Sequence, residues 1–140
     1  KMDKVQAKNG KLISGTLRTG MATVINAVVD IPIIGEIEEQ IIFTKVVDAV
    51  CDLLEDKLIE SFGDTHSDVA AQIQAIAKDQ KELDSWRDST VFKINGNVDL
   101  PILNEDQEEV IIRAVIDKYL DASIEGGYVY GGKKKLFGLF

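Results

Sequence analysis

Residues 29–52 read VDIPIIGEIEEQIIFTKVVDAVCD, and residues 98–121 read VDLPILNEDQEEVIIRAVIDKYLD. Set one above the other without a gap, at an offset of about 69 positions, they match repeatedly. The identical pairs are Val29/Val98, Asp30/Asp99, Pro32/Pro101, Ile33/Ile102, Glu36/Glu105, Glu39/Glu108, Ile42/Ile111, Val46/Val115, Asp48/Asp117 and Asp52/Asp121. Upstream, the same offset adds Arg18/Arg87, Ile25/Ile94 and Asn26/Asn95. Composition alone gives roughly one or two identities in a window this long. The chain therefore reads as two tandem copies of one unit, approximately 12–60 and 81–125.

The shared positions make sense as a loop leading into a helix. Proline disfavours helical geometry in the residue before it, so Ile31 and Leu100 are expected to be extended. The helix then begins after Gly35 or Asn104, and Asn104 with Gln107 three residues on has the form of a capping box. Glu36, Glu38 and Glu39, like Glu105, Asp106 and Glu108, place negative charge at the positive end of the helix dipole. Apolar stripes follow: Ile42, Val46, Val50, Leu53, Leu54 and Leu58 in the first copy, and Ile111, Val115, Tyr119 and Leu120 in the second. Gly126-Gly127 is the expected stop of the second.

Working outward, residues 12–28 show a helical face of Leu12, Ile13, Leu17, Met21, Val24, Ile25 and Val28. Residues 67–87 read as one long helix with Val69, Ile73, Ile76, Leu83 and Trp86 inward. Residues 91–102 admit two readings: Asn95-Gly96 between β-favouring runs suggests a short hairpin, whereas the repeat suggests a helix ending near Ile94. The helical reading is preferred. The expected fold is all-α, a single domain over 1–140: a small bundle of two related helix-loop-helix units, with four main helices about a pseudo-twofold. Residues 126–140 form a Gly-rich hinge and a basic–apolar tail.

Composition narrows the function. With 45% hydrophobic and 29% charged residues, the chain is an ordinary globular protein. A net charge of −8 argues against nucleic-acid binding, which needs a basic face. The bases cluster at the two ends, as Lys1, Lys4, Lys8, Lys11 and Arg18, and as Lys133, Lys134 and Lys135. Such ends either join copies head to tail or keep the ends solvated, and solvation is the plainer reading. Cys51, the one cysteine, sits among Val50, Leu53 and Leu54 and is expected to be buried and inert. No apolar run is long enough for a transmembrane helix, and Lys1-Met2-Asp3-Lys4 leads into no signal-like h-region; a cytoplasmic location is expected.

Three constellations invite chemistry and yield plainer explanations. Asp48/Asp52 and Asp117/Asp121 each stand i, i+4 on one helix face, and four carboxylates brought together are cation ligands. Without a Glu-x-x-His or EF-hand pattern, they read as a solvated face, and no metal is expected. His66, in Gly63-Asp64-Thr65-His66-Ser67, lies in a turn where Thr65 or Ser67 caps the next helix; no catalytic site is expected. The paired glycines around Tyr128-Val129-Tyr130 lack the strand and helix of a phosphate loop. No cofactor is expected.

The partner-binding candidates are Lys133, Lys134, Lys135, Leu136, Phe137, Leu139 and Phe140. Large apolar residues beside lysines mark an interaction site. The Leu-Phe-x-Leu-Phe pattern resembles the short peptides with which phage replication and transcription proteins grip the sliding clamp. That resemblance covers about six residues and implies a partner groove, not a family. The expected function is a non-enzymatic assembly or adaptor protein acting by self-association and its tail, of the sort a phage or viral accessory component performs. The alternatives are a peripheral membrane-binding protein and a clamp-docking adaptor.

Overall fold

A computed structural model describes residues 7–29, 36–100 and 103–125. Five helices follow one another: α1 (Gly15–Val28), α2 (Glu36–Phe62), α3 (His66–Ala77), α4 (Gln80–Asn95) and α5 (Glu105–Glu125). The chain is an all-helical bundle, and no strand occurs among the described residues. Pro32 and Pro101, the expected stop at Gly126-Gly127 and residues 126–140 as a whole lie outside the described residues.

The helix boundaries follow from capping chemistry. Ser14 is extended and its side chain accepts the Leu17 N–H at 3.2 Å, which starts α1. Asn104 and Gln107 form the reciprocal capping box at α5: the Gln107 N–H donates to Asn104 Oδ1 at 2.8 Å, and the Asn104 N–H to Gln107 Oε1 at 3.0 Å. Helix α2 ends at Gly63, whose φ of 112° only glycine adopts readily. Of the two expected caps, Thr65 and Ser67, it is Thr65 that starts α3 by accepting the Asp68 N–H.

One expectation is corrected. Residues 67–87 are not one helix but α3 and α4, separated at Lys78-Asp79. Asp79 leaves helical geometry (φ −117°, ψ 109°) and its carboxylate accepts the Lys81 N–H. An aspartate competes well for backbone N–H groups, and here that local bond outweighs the continuous helical periodicity. Among the described residues the bundle consequently has five main helices rather than four. Residues 91–95 belong to α4, as the repeat required, and Gly96 caps it.

The element order can be set beside the two sequence copies. Helices α1 and α2 stand in the first copy where α4 and α5 stand in the second, and Glu36 and Glu105 each open their helix. Ile25 and Ile94, Val46 and Val115 are all buried. Helix α1 packs on α2, α4 on α5, and α2 and α5 meet between the pairs. Phe43, Val47, Cys51, Leu54 and Leu58 of α2 share one core with Ile111, Ile112, Val115, Ile116 and Tyr119 of α5. Among the described residues, no helix is long and apolar enough to cross a membrane.

Candidate functional site

The most elaborate polar cluster is built around Arg18. Its position on α1 faces α2 across the apolar interior, and its side chain is fully buried. The Nε donates to the Ile13 carbonyl at 3.0 Å. Nη1 donates to Asp48 Oδ1 at 3.2 Å and to Asp52 Oδ1 at 3.0 Å. Nη2 lies 3.3 Å from Glu55 Oε2, an ion-pair distance without hydrogen-bond geometry, so that nitrogen has no hydrogen-bond partner.

The same acids seize the segment preceding α1. Glu55 Oε2 accepts the backbone N–H groups of Leu12 and Ile13 at 2.8 and 2.7 Å. Lys8 Nζ lies 2.6 Å from Asp52 Oδ2, and the Lys8 N–H donates to Asp48 Oδ1 at 3.3 Å. Residues 8–14 thus form a strap across α2, held by three acids spaced a helical turn apart. Gly10 lets the strap approach closely: a Cβ there would meet the Glu55 carboxylate and the Arg18 guanidinium, and these buried side chains would have to shift. Burial pushes the Asp52 carboxyl up, but hydrogen bonds from Lys8 and Arg18 hold it below its usual value. Lys8, bonded to Asp52, is raised.

In the second copy Arg87 reaches Asp117 at 3.5 Å and Asp84 at 3.1 Å, with its side chain 30% exposed. Asp48 and Asp52 are therefore engaged by Arg18 and Asp117 by Arg87, while Asp52 and Asp117 remain 43% and 46% exposed on the helix faces where the sequence places them. Among the described residues, no group of three or more histidine, cysteine, aspartate or glutamate side chains is arranged for a metal ion. The sequence held the missing signal. Arg18 and Asp48, like Arg87 and Asp117, keep the same separation in both copies, the pattern a conserved pair of contacts leaves. Glu39 and Glu108 are a second such pair, both buried, and Glu108 accepts the Leu100 N–H at 2.9 Å.

Cys51 is fully buried beside Met21, and burial pushes its thiol up to about 12 even though Arg18 pulls the other way. An un-ionised buried thiol is a poor nucleophile, as expected from its neighbours. His66 is exposed at the start of α3.

Two surface features remain. Phe62, Ile76 and Trp86, only partly buried, line a groove of about 630 Å³ where α2, α3 and α4 meet, together with Asp79, Lys81 and Glu82. The Phe62 and Trp86 rings stand 5.4 Å apart between centroids. On another face, Phe92 is 80% exposed and Val110 49% exposed. Arg113 of α5 pairs with Asp88 of α4 at 3.0 Å. Phe92 lies one turn beyond Asp88 on α4, and Val110 about one turn before Arg113 on α5, so each shares a helix face with its member of that ion pair. The tail candidates, Lys133, Lys134, Lys135, Leu136, Phe137, Leu139 and Phe140, lie outside the described residues. No protein-family model, curated protein or solved structure matches this chain.

Proposed function

We propose that this chain is an assembly or adaptor protein that associates with copies of itself and carries its basic–apolar segment, residues 133–140, as a second contact. The observation that supports this reading is the exposure of Phe92 on α4 and Val110 on α5. Helix α4 buries Leu83, Val91 and Ile94 but leaves Phe92 in water, and an exposed aromatic with a second exposed apolar side chain on the neighbouring helix is the beginning of an apolar contact surface. The equivalent position to Phe92 in the first copy is Thr23, whose hydroxyl donates back to the Thr19 carbonyl. The apolar side chain is thus a departure from the repeat, confined to one copy. The polar groups of the repeat serve the ion pairs that lock helices together, which suits a rigid presenting body.

Sedimentation over a range of concentrations tests this. The full chain should associate, Phe92→Ser with Val110→Ser should shift it toward monomer, and helix content should not change. A full chain that stays monomeric throughout sinks the proposal. Adding anionic liposomes to the same series separates it from the membrane reading: co-sedimentation lost on removing residues 133–140, with no self-association, favours a membrane surface instead.

A further inference from the structure

The groove is lined by the apolar Phe62, Ile76 and Trp86 together with two acids, Asp79 and Glu82, and one base, Lys81. Among the described residues Glu82 is paired with no cation. Its size falls in the range, about 300–1,000 Å³, of clefts that accept a compact apolar group. We infer that this groove is the docking site for the chain's own residues 133–140, with Phe137 or Phe140 against Trp86 and the lysines over Asp79 and Glu82.

Reach favours the segment of the same molecule. Ser123, near the end of α5, accepts through its carbonyl a hydrogen bond from Gln74 of α3 at 3.3 Å. Gln74 and Ile76 belong to the same helix but, two residues apart, face opposite sides of it, so from the end of α5 the segment must pass around α3, about one helix diameter or ~10 Å, to reach the groove. From Glu125 to Leu136 the chain spans up to ~36 Å when extended, and a glycine-rich stretch of that length averages about 17–20 Å end to end. A tether this short supplies an effective concentration in the mM range, well above that of a second copy in dilute solution.

Charge favours it too. The other basic stretch already binds this acidic body: Lys8 pairs with Asp52, and Lys11 with Asp64 at 3.3 Å. Lys133, Lys134 and Lys135 repeat that chemistry beside apolar residues that match Phe62, Ile76 and Trp86.

The inference does not depend on self-association: it concerns the unassociated chain, in which residues 133–140 occupy the groove until a partner takes them as its second contact, and its readout differs. Trp86 is the only tryptophan in the chain, so its fluorescence reports the groove alone. The full chain is compared with a chain ending at Gly132 and with full-length Phe137→Ser/Phe140→Ser, at low concentration. Both altered forms should show a red-shifted emission and greater acrylamide quenching, with circular dichroism unchanged. Glu82→Lys should produce part of the same shift, more strongly at low salt than at high. If the truncated chain fails to fold, the double serine variant decides. Identical emission and quenching in the full chain and the serine variant overturn the inference. A full-chain signal that appears only as concentration rises also overturns it, and assigns the groove to the segment of a second copy.

Discussion

Arg18 and Arg87 occupy the same place in two copies of one unit, yet one is sealed in the interior and the other is 30% exposed. The difference lies in what precedes each helix. Before α1 the chain is a strap, and its backbone N–H groups meet Glu55 while its Lys8 meets Asp52. Glu55 corresponds to Ile124 in the second copy, and Gly10 to Asp79. There the chain spends the same positions on the first turn of α4, capped by Asp79. With no strap to cover it, Arg87 stays near water. A repeated charged pair can thus hold a lid in one copy and remain a half-open helix clamp in the other.

The largest expected difference between the copies is in removing the arginines. Arg18→Met leaves Asp48 and Glu55 without their cation under the strap, and breaking a buried pair costs about 3–5 kcal/mol. Arg87→Met removes partly solvated pairs, worth about 0.2–1 kcal/mol. Urea unfolding of the two variants checks the ratio. Cys51 offers a second reading at the same end: its modification by a thiol reagent should accelerate in Arg18→Met and barely change in Arg87→Met. Equal destabilisation by both would show that the strap does not seal the first copy.

Glycine substitutions come next. Gly10→Ala drives a methyl group into the Glu55 carboxylate and Arg18 guanidinium, and overpacking of this kind costs about 1–3 kcal/mol. Gly96, by contrast, sits at φ −74° with a Cβ meeting only ordinary contacts at 3.5 Å or more. Gly96→Ala should be neutral or should stabilise by up to about 1 kcal/mol, through the unfolded chain. Thermal melts of the pair distinguish a strap that needs close backbone approach from one that merely lies on the surface.

The acid limb of stability is a smaller effect. Asp52 is held below its usual carboxyl value, so its contribution is fully present above the unfolded value near 3.8 and disappears as pH falls through the folded one. Asp52→Asn should accordingly flatten the loss of stability between neutral and strongly acid pH. Because Asp52 is 43% exposed, the change is modest and shrinks with salt. Urea midpoints measured against pH, for the parent and the variant, give the answer. Parallel curves would remove Asp52 from the strap's energetics.

Much of this architecture was legible from residue order because it depends on local chemistry. Asn104 and Gln107 cap α5 within one turn, and Thr65 caps α3. The core stripes of α2 and α5 are read from periodicity, although Ile112 and Ile116 of α5 are also buried because that helix contacts several neighbours. The break at Lys78-Asp79 was hidden because apolar spacing continues across it. Periodicity also placed Ile76 and Trp86 inward, yet it cannot tell a core from the wall of a groove. The strap was illegible for another reason. Glu55 acts on Leu12 and Ile13 from more than a whole helix away in sequence, and nothing local marks it.

The smallest expected effect is none at all, and it concerns calcium. Carboxylates spaced i, i+4 on two helices resemble an oxygen-donor site, but a cation needs their lone pairs unoccupied. In the first copy Asp48 and Asp52 are taken by Arg18 and Lys8, so a calcium ion would have to displace two bound cationic groups. In the second copy Asp117 is farther from its arginine and 46% exposed, while Asp121 is engaged as well. Calcium at mM concentration should therefore leave the melting temperature of the whole chain unchanged, since only binding to the folded state raises it. The informative failure is a rise that Asp117→Asn abolishes and Asp48→Asn does not. That result would place a weak cation site in the open copy alone, and would make the strap the device that closes the same site in the other.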